Sequence, residues 1–242
     1  MAQLRFGRTL IAVYGLMWLF LGWCFWTPIS FSALKLAATG ASVFLAVGTV
    51  VWFPRGRICV ALTSTVVALI FVWPARPANS PELSRAYVAS MRNYLGTRYV
   101  WGGENGRGID CSGLMRRGLV DALLSEGWTT KNPSLWREAA TVWWRDCSAL
   151  EMKRGYGNRI KQRFEADNLN EIDTSRLQPG DLAVLQNGVH VLAFAGEKTW
   201  IQADPNLVNG GDKVILTMAP SKNGWFHQPV VICRWRILDS AA

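Results

Sequence analysis

The chain has 242 residues, half of them hydrophobic, and a net charge of +9 from 26 Lys and Arg against 17 Asp and Glu. That length holds one or two domains with a sizeable core. The basic residues are dispersed and form no long block, which argues against a nucleic-acid partner and for an anionic membrane or wall polymer.

Charge is divided unevenly along the chain. Residues 1–75 contain no Asp or Glu and only Arg5, Arg8, Lys35, Arg55 and Arg57. Three apolar runs fill this stretch, 9–27, 34–53 and 58–73, and predict an all-α transmembrane anchor. A span takes about 20 residues, with about 17 as the lower end, so the third run is short. The first run also reads as a signal peptide, and the third as a core helix; three spans are favoured over two. Lys35, at one end of the second run, is expected to snorkel to the interface. Placing Arg5 and Arg8, and Arg55 and Arg57, on the cytoplasmic side makes a multi-pass protein of the cell membrane. The remaining chain then lies outside the cytoplasm, an outcome that needs an odd number of spans.

Residues 76–82, with Pro77 and Pro81, form a stiff linker. Apolar spacing predicts a helix over 81–95, ending at Gly96. A glycine-rich loop over 102–108 follows, then a helix over 112–126 with Cys111 at its N-terminus, and a third helix from Asn132-Pro133 to about Cys147. The stretch 148–176 is polar and reads as irregular. Five β-like runs follow: 182–185, 189–194, 199–203, 213–218 and 230–237. Helices followed by an antiparallel sheet imply an α+β domain, here 83–237.

Cys111 carries the chemistry. A helix N-terminus favours negative charge and is expected to lower the thiol pKa. A lone cysteine is more often a small buried hydrophobe. His190, however, lies in a β-like run, and a hairpin centred on Gly196 sets it directly opposite Gln202. Gln202 then orients the imidazole toward Cys111, the logic of a nucleophile, a base and an orienting group. Asp204 is the rival orienter, and an edge polar residue is the plainer reading of Gln202.

Tyr99-Val100-Trp101-Gly102-Gly103 and Gly108-Ile109-Asp110-Cys111-Ser112-Gly113-Leu114 resemble the signature of the NlpC/p-sixty family of cell-wall endopeptidases. Leu177-Gln178-Pro179-Gly180-Asp181-Leu182, Val189-His190-Val191 and Trp200-Ile201-Gln202-Ala203 are similar to its second half, in the same order. The resemblance implies a papain-like cysteine hydrolase fold. It makes Cys111 the nucleophile, His190 the base and Gln202 the third polar residue, with Tyr99, Asp110 and Ser112 beside the substrate. It implies hydrolysis of peptidoglycan stem peptides, commonly between D-glutamate and the following diamino acid, with the lipid bilayer as the other partner and no cofactor.

The 79-residue interval from Cys111 to His190 is longer than the family's usual one and implies an insertion at about 127–176. Its tryptophans are expected to pack on the domain core. His227 reads as structural or surface. No cluster has metal-ligand spacing. Cys147 and Cys233 could form a disulfide in a domain outside the cytoplasm, but the sequence does not bring them together and the unpaired reading is favoured. Two alternatives stay open: an amidase or acyltransferase of the same fold on a non-peptidoglycan substrate, or an inactive membrane scaffold or wall-binding protein. Oligomeric state is not indicated.

Overall fold

The computed structural model describes residues 2–207 and 211–239. It begins with three helices, α1 (Ala2–Trp26), α2 (Ser32–Trp52) and α3 (Pro54–Val72). The side chains of Arg5 and Arg8 lie outside the described set. By length and composition α2 and α3 could cross a membrane, while the apolar part of α1, Ala12–Trp26, is shorter. α1 packs on α2 through Leu21, Ala41 and Leu45, and the Tyr14 hydroxyl bonds Thr49 at 2.9 Å. Ile58, Leu62, Val66 and Phe71 of α3 stay exposed, an apolar surface of the kind lipid covers at little cost.

The rest of the chain is helices on an antiparallel sheet. α4 (Ser80–Arg92) leads to the short ribbon β1 (Glu104–Asn105) and β2 (Gly108–Ile109). α5 (Cys111–Thr129), α6 (Pro133–Trp144) and α7 (Ala149–Lys153) follow. The strands are β3 (Ile160–Ala166), β4 (Leu182–Leu185), β5 (Val191–Gly196), β6 (Thr199–Asp204), β7 (Lys213–Met218) and β8 (Val230–Trp235). They lie in the order β3-β8-β4-β5-β6-β7, every pair antiparallel.

Strand alternation gives the sheet two buried faces. On one, Val184, Val191, Ala193, Ile201 and Trp235 meet Tyr87 and Met91 of α4 and Leu114, Met115 and Leu119 of α5. On the other, Leu185, Leu192, Phe194, Trp200, Phe226 and Ile232 form a smaller core. Gly118 lets α4 and α5 close: a Cβ there would stand 2.4 Å from Met91 Cγ. One buried guanidinium ties the layers together. Arg234 of β8 reaches Asp181 Oδ1 at 3.0 Å, Ser84 Oγ of α4 at 2.9 Å and the Leu238 carbonyl at 2.8 Å.

Three expectations need correction here. The stretch 148–176 is not irregular but contains α7 and the strand β3. β3 pairs only with β8, and as an edge strand it carries Lys161, Gln162, Arg163 and Glu165, which hide its strand character. The insertion's tryptophans do not form core: Trp128, Trp143 and Trp144 are exposed, and α6 uses Leu135, Ala139 and Val142 instead. α6 lies against α3, where Arg137 donates to the carbonyls of Ile70 and Trp73, both at 2.7 Å. Finally, Lys35 does not snorkel. It is buried, with its ammonium 2.6 Å from the Trp143 carbonyl, 2.9 Å from Asp146 Oδ1 and 3.6 Å from Glu104 Oε2. Glu104, itself buried and also 3.1 Å from Arg116, needs the compensating charge more than Lys35 needs water.

Candidate active site

Cys111 is the first residue of α5, and the helix start explains the residues around it. Asp110 is the N-cap; its Oδ1 accepts from the Gly113 N–H at 2.6 Å and from the Ser112 hydroxyl at 3.0 Å. Its Oδ2 accepts from the Gly102 N–H at 2.7 Å, which joins the glycine loop to the helix. Gly113 must be small because a Cβ there would stand 2.2 Å from the Gly103 carbonyl oxygen. Asp110 and Ser112 therefore build the turn that presents the thiol.

α5 packs across β5 and β6, which brings Cys111 to the start of β5. His190 directly precedes β5, its carbonyl accepting from the Leu185 N–H at 3.1 Å. Its Nε2–H donates to Gln202 Oε1 at 2.8 Å. The Gln202 amide nitrogen in turn donates to Thr217 Oγ1 at 3.2 Å, while the amide oxygen faces the ring. This leaves Nδ1 as the unprotonated nitrogen of the neutral imidazole.

The hairpin is not centred on Gly196. Ala193 pairs with Ile201 and Phe194 with Trp200, and the turn is at Glu197 and Lys198, both with positive φ (50° and 60°), with Gly196 as a bulge at φ 99°. In that register Gln202 lies one alternation from direct opposition to His190, on the same face. The bond forms diagonally, within reach of a long side chain.

Asp204 does not take the orienting place. Its carboxylate accepts from Asn223 Nδ2 at 2.7 Å and from Trp225 Nε1 at 3.1 Å, and the Trp225 ring stacks on His190 with centroids 4.5 Å apart. Asn223 and Trp225 thus form a platform under the imidazole that the sequence reading missed. They lie in a short helical turn before β8 whose only local signal is an Asn bonding the N–H two residues on.

Burial controls protonation here. The Cys111 thiol is pushed up to about 12, first by burial and then by the Asp110 carboxylate, and the N–H groups of Val191, Ser112 and Cys111 recover only part of this. The expected lowering by the helix N-terminus is therefore overturned: removal from water outweighs the helix-end field. The bond from Val191 joins the sulfur to the residue that follows His190. Burial lowers His190 to about 4, against partial recovery from Gln202, Asp204 and Asp110. Tyr99 is half-buried, and burial and the nearby Cys111, Asp110 and Asp204 push its phenol up.

A stability prediction follows. Between pH 6.5 and 4 the unfolded chain binds a proton at His190 that the folded chain does not. The stability held above pH 6.5 is thus lost as pH falls through that window, by about 3 kcal/mol from this group alone. Urea unfolding at pH 7 and pH 4.5 should show a larger acid loss for the wild type than for His190→Asn.

A cavity of about 530 Å³ reaches this helix start from the outside. Asp110, Ser112 and Gly113 line it together with Trp101, Glu104, Arg116 and Glu151. Cys147 and Cys233 are both free and buried. His227 is exposed near Asn170, away from the site.

A search of curated proteins finds no match. Among solved structures, the chain is similar to the peptidoglycan hydrolase RipB of Mycobacterium tuberculosis, at 16% identity and a TM-score of 0.45, covering 88% of this chain and 93% of that one. It is also similar to the P60 domain of an antigen of M. avium subspecies paratuberculosis, at 17% identity, TM-score 0.42 and coverages of 67% and 100%. NlpC2 of Trichomonas vaginalis is 18% identical with a TM-score of 0.42; 65% of this chain is covered, and it spans about half (48%) of that longer protein. The sequence model described as NlpC/P60 family matches residues 96–231, from the loop before Cys111 to the strand after Trp225. Since that match takes in more than half of the chain and the whole of the cysteine–histidine cluster, the protein belongs to the NlpC/P60 family.

Proposed function

We propose that the protein is a membrane-anchored cysteine peptidase that hydrolyses amide bonds in peptidoglycan stem peptides, with Cys111 as nucleophile, His190 as base and Gln202 as orienting residue. The observation that carries this reading is the buried 2.8 Å bond from His190 Nε2–H to Gln202 Oε1, made beside a cysteine that opens α5. It leaves Nδ1 to accept the thiol proton. Because the resting thiol is neutral, proton transfer and attack on the carbonyl carbon are coupled. The amine leaves with the proton from His190, and the acyl-enzyme is hydrolysed by a water that His190 deprotonates. The Cys111 N–H, at the helix start and turned toward its own sulfur, is a donor for the oxyanion. Tyr99, Asp110 and Ser112 border the substrate.

The anchor reading gains support from the contacts of the loop between α1 and α2. The Ser30 N–H donates to the Gly102 carbonyl at 2.9 Å, and the Glu104 N–H to the Pro28 carbonyl at 2.9 Å. Loop and domain therefore share one side of the membrane. In this reading two crossings, α2 and α3, separate them, and Arg55 and Arg57 in the α2–α3 connection face the cytoplasm. The domain lies outside.

The test is digestion of purified peptidoglycan by the full chain in detergent micelles, with released fragments identified by mass spectrometry. Stem-peptide fragments from the wild type and none from Cys111→Ala support the proposal; a wild type inert on every wall chemotype sinks it. Gln202→Leu is expected to lower kcat about 10²-fold by freeing the imidazole, with Gln202→Asn between the two. A Gln202→Leu chain of wild-type kcat would remove the orienting role.

A further inference from the structure

The loop that joins the first two helices does more than connect them. Ile29 forms an antiparallel bridge with Gly103, the residue whose carbonyl closes against Gly113 and accepts from the Asp110 N–H at 3.0 Å. The Asn105 amide donates to the Thr27 carbonyl at 2.7 Å. At the loop's far end, the Ser32 hydroxyl donates to Asp146 at 2.7 Å, beside buried Lys35. The loop is thus held along its length against the segment that leads to the nucleophile.

Ile29, Ser30 and Phe31 also line the cavity that Asp110, Ser112 and Gly113 line beside the nucleophile's helix start. Ile29 and Phe31 are 43% and 49% exposed, and Trp101 across the mouth is 83% exposed. The backbone of the loop is anchored while its large apolar side chains are left uncovered in a concavity, as in a site that a ligand completes. The lining is also acidic, with Glu104, Asp146 and Glu151 against a single lining base, Arg116.

We infer that the α1–α2 loop is a wall of the substrate groove, and that Ile29 and Phe31 are specificity-determining residues which grip the stem peptide attacked by Cys111. This rests on the peptidase reading. It makes anchor and hydrolase one working unit: a groove built partly from a five-residue loop between two spans opens at the level of the lipid headgroups. The peptide it takes is one displayed at the bilayer surface.

The test uses the full chain in detergent micelles and a synthetic stem tetrapeptide. In a Cys111→Ala background, Ile29→Ala and Phe31→Ala should each weaken peptide binding about tenfold, from lost apolar burial. In the active chain they should raise KM similarly and leave kcat nearly unchanged. Val47→Ala, an exposed apolar change on α2 away from the cavity, should alter neither. Unfolding midpoints confirm that the exposed positions do not affect folding. Wild-type affinity in both loop variants, an equal effect of Val47→Ala, or no peptide binding at all overturns the wall. Absence of turnover in the wild type while the affinity difference persists overturns the peptidase reading and leaves the wall standing.

Discussion

Cys111→Ala should reduce fragment release by at least about 10⁴-fold, the scale on which a covalent nucleophile matters. His190→Ala should fall almost as far. The thiol is held neutral by burial, and in the proposed mechanism Nδ1 of His190 is the base that accepts its proton. The two losses should not add. A Cys111→Ala/His190→Ala chain is expected to match Cys111→Ala, because groups that act in one step fail together. The measurement is initial rates on a defined stem peptide across all three variants. If His190→Ala retained more than about a tenth of wild-type activity, the base would have to be sought elsewhere. The pH profile offers a second check. With the imidazole at about 4, kcat/KM should hold to well below pH 6.5 before its acid limb appears.

The second large effect is on stability. Arg234→Met removes the buried guanidinium that holds Asp181, a carboxylate with no exposed surface. Asp181 keeps Arg163 and the Gln178 N–H at 2.8 Å, but Ser84 of α4 and the Leu238 carbonyl lose their donor. Removing one partner of a buried ion pair costs about 3–5 kcal/mol, and with Arg163 still on Asp181 the loss should fall at the lower end, which for a domain of this size lowers Tm by roughly 10 °C. Adding Asp181→Asn should recover part of the loss, since it removes a buried charge left with one ion-pair partner in place of two. Thermal melts of the full chain in detergent decide the matter; additive losses in the double variant would show that the two residues act independently.

Lys35, Asp146 and Glu104 show how a charge can reverse its expected place. A lysine at the end of an apolar run reads as an interfacial residue because only its own helix is visible in sequence. In three dimensions Glu104 arrives from the glycine loop and Asp146 from the insertion, and the ammonium turns inward to them. The same contacts show the insertion's role in the fold: α6 seats the domain on α3, and Trp143 and Asp146 meet the start of α2.

Local patterns in the sequence determined much of this protein. Apolar spacing placed α4, α5 and the later strands within a few residues, because a face that packs must repeat with the period of its element. The same spacing over 112–126 set Cys111 at a helix start, while the capping by Asp110 and the close approach of Gly113 to Gly103 came with the folded loop. His190 and Gln202 were legible as a pair through strand alternation, which survives an error in the turn. The tertiary structure alone decided the hairpin register, the strand β3, the Trp225–Asp204 platform under His190 and the protonation of Cys111. Each of these depends on what distant segments bring: a partner strand, a stacking ring, or the exclusion of water. Burial is a property of the assembled layers, and it reversed the expected pKa of the thiol. The position of the α1–α2 loop against the groove belongs to the same class, because only the packed chain sets residue 29 beside residue 103.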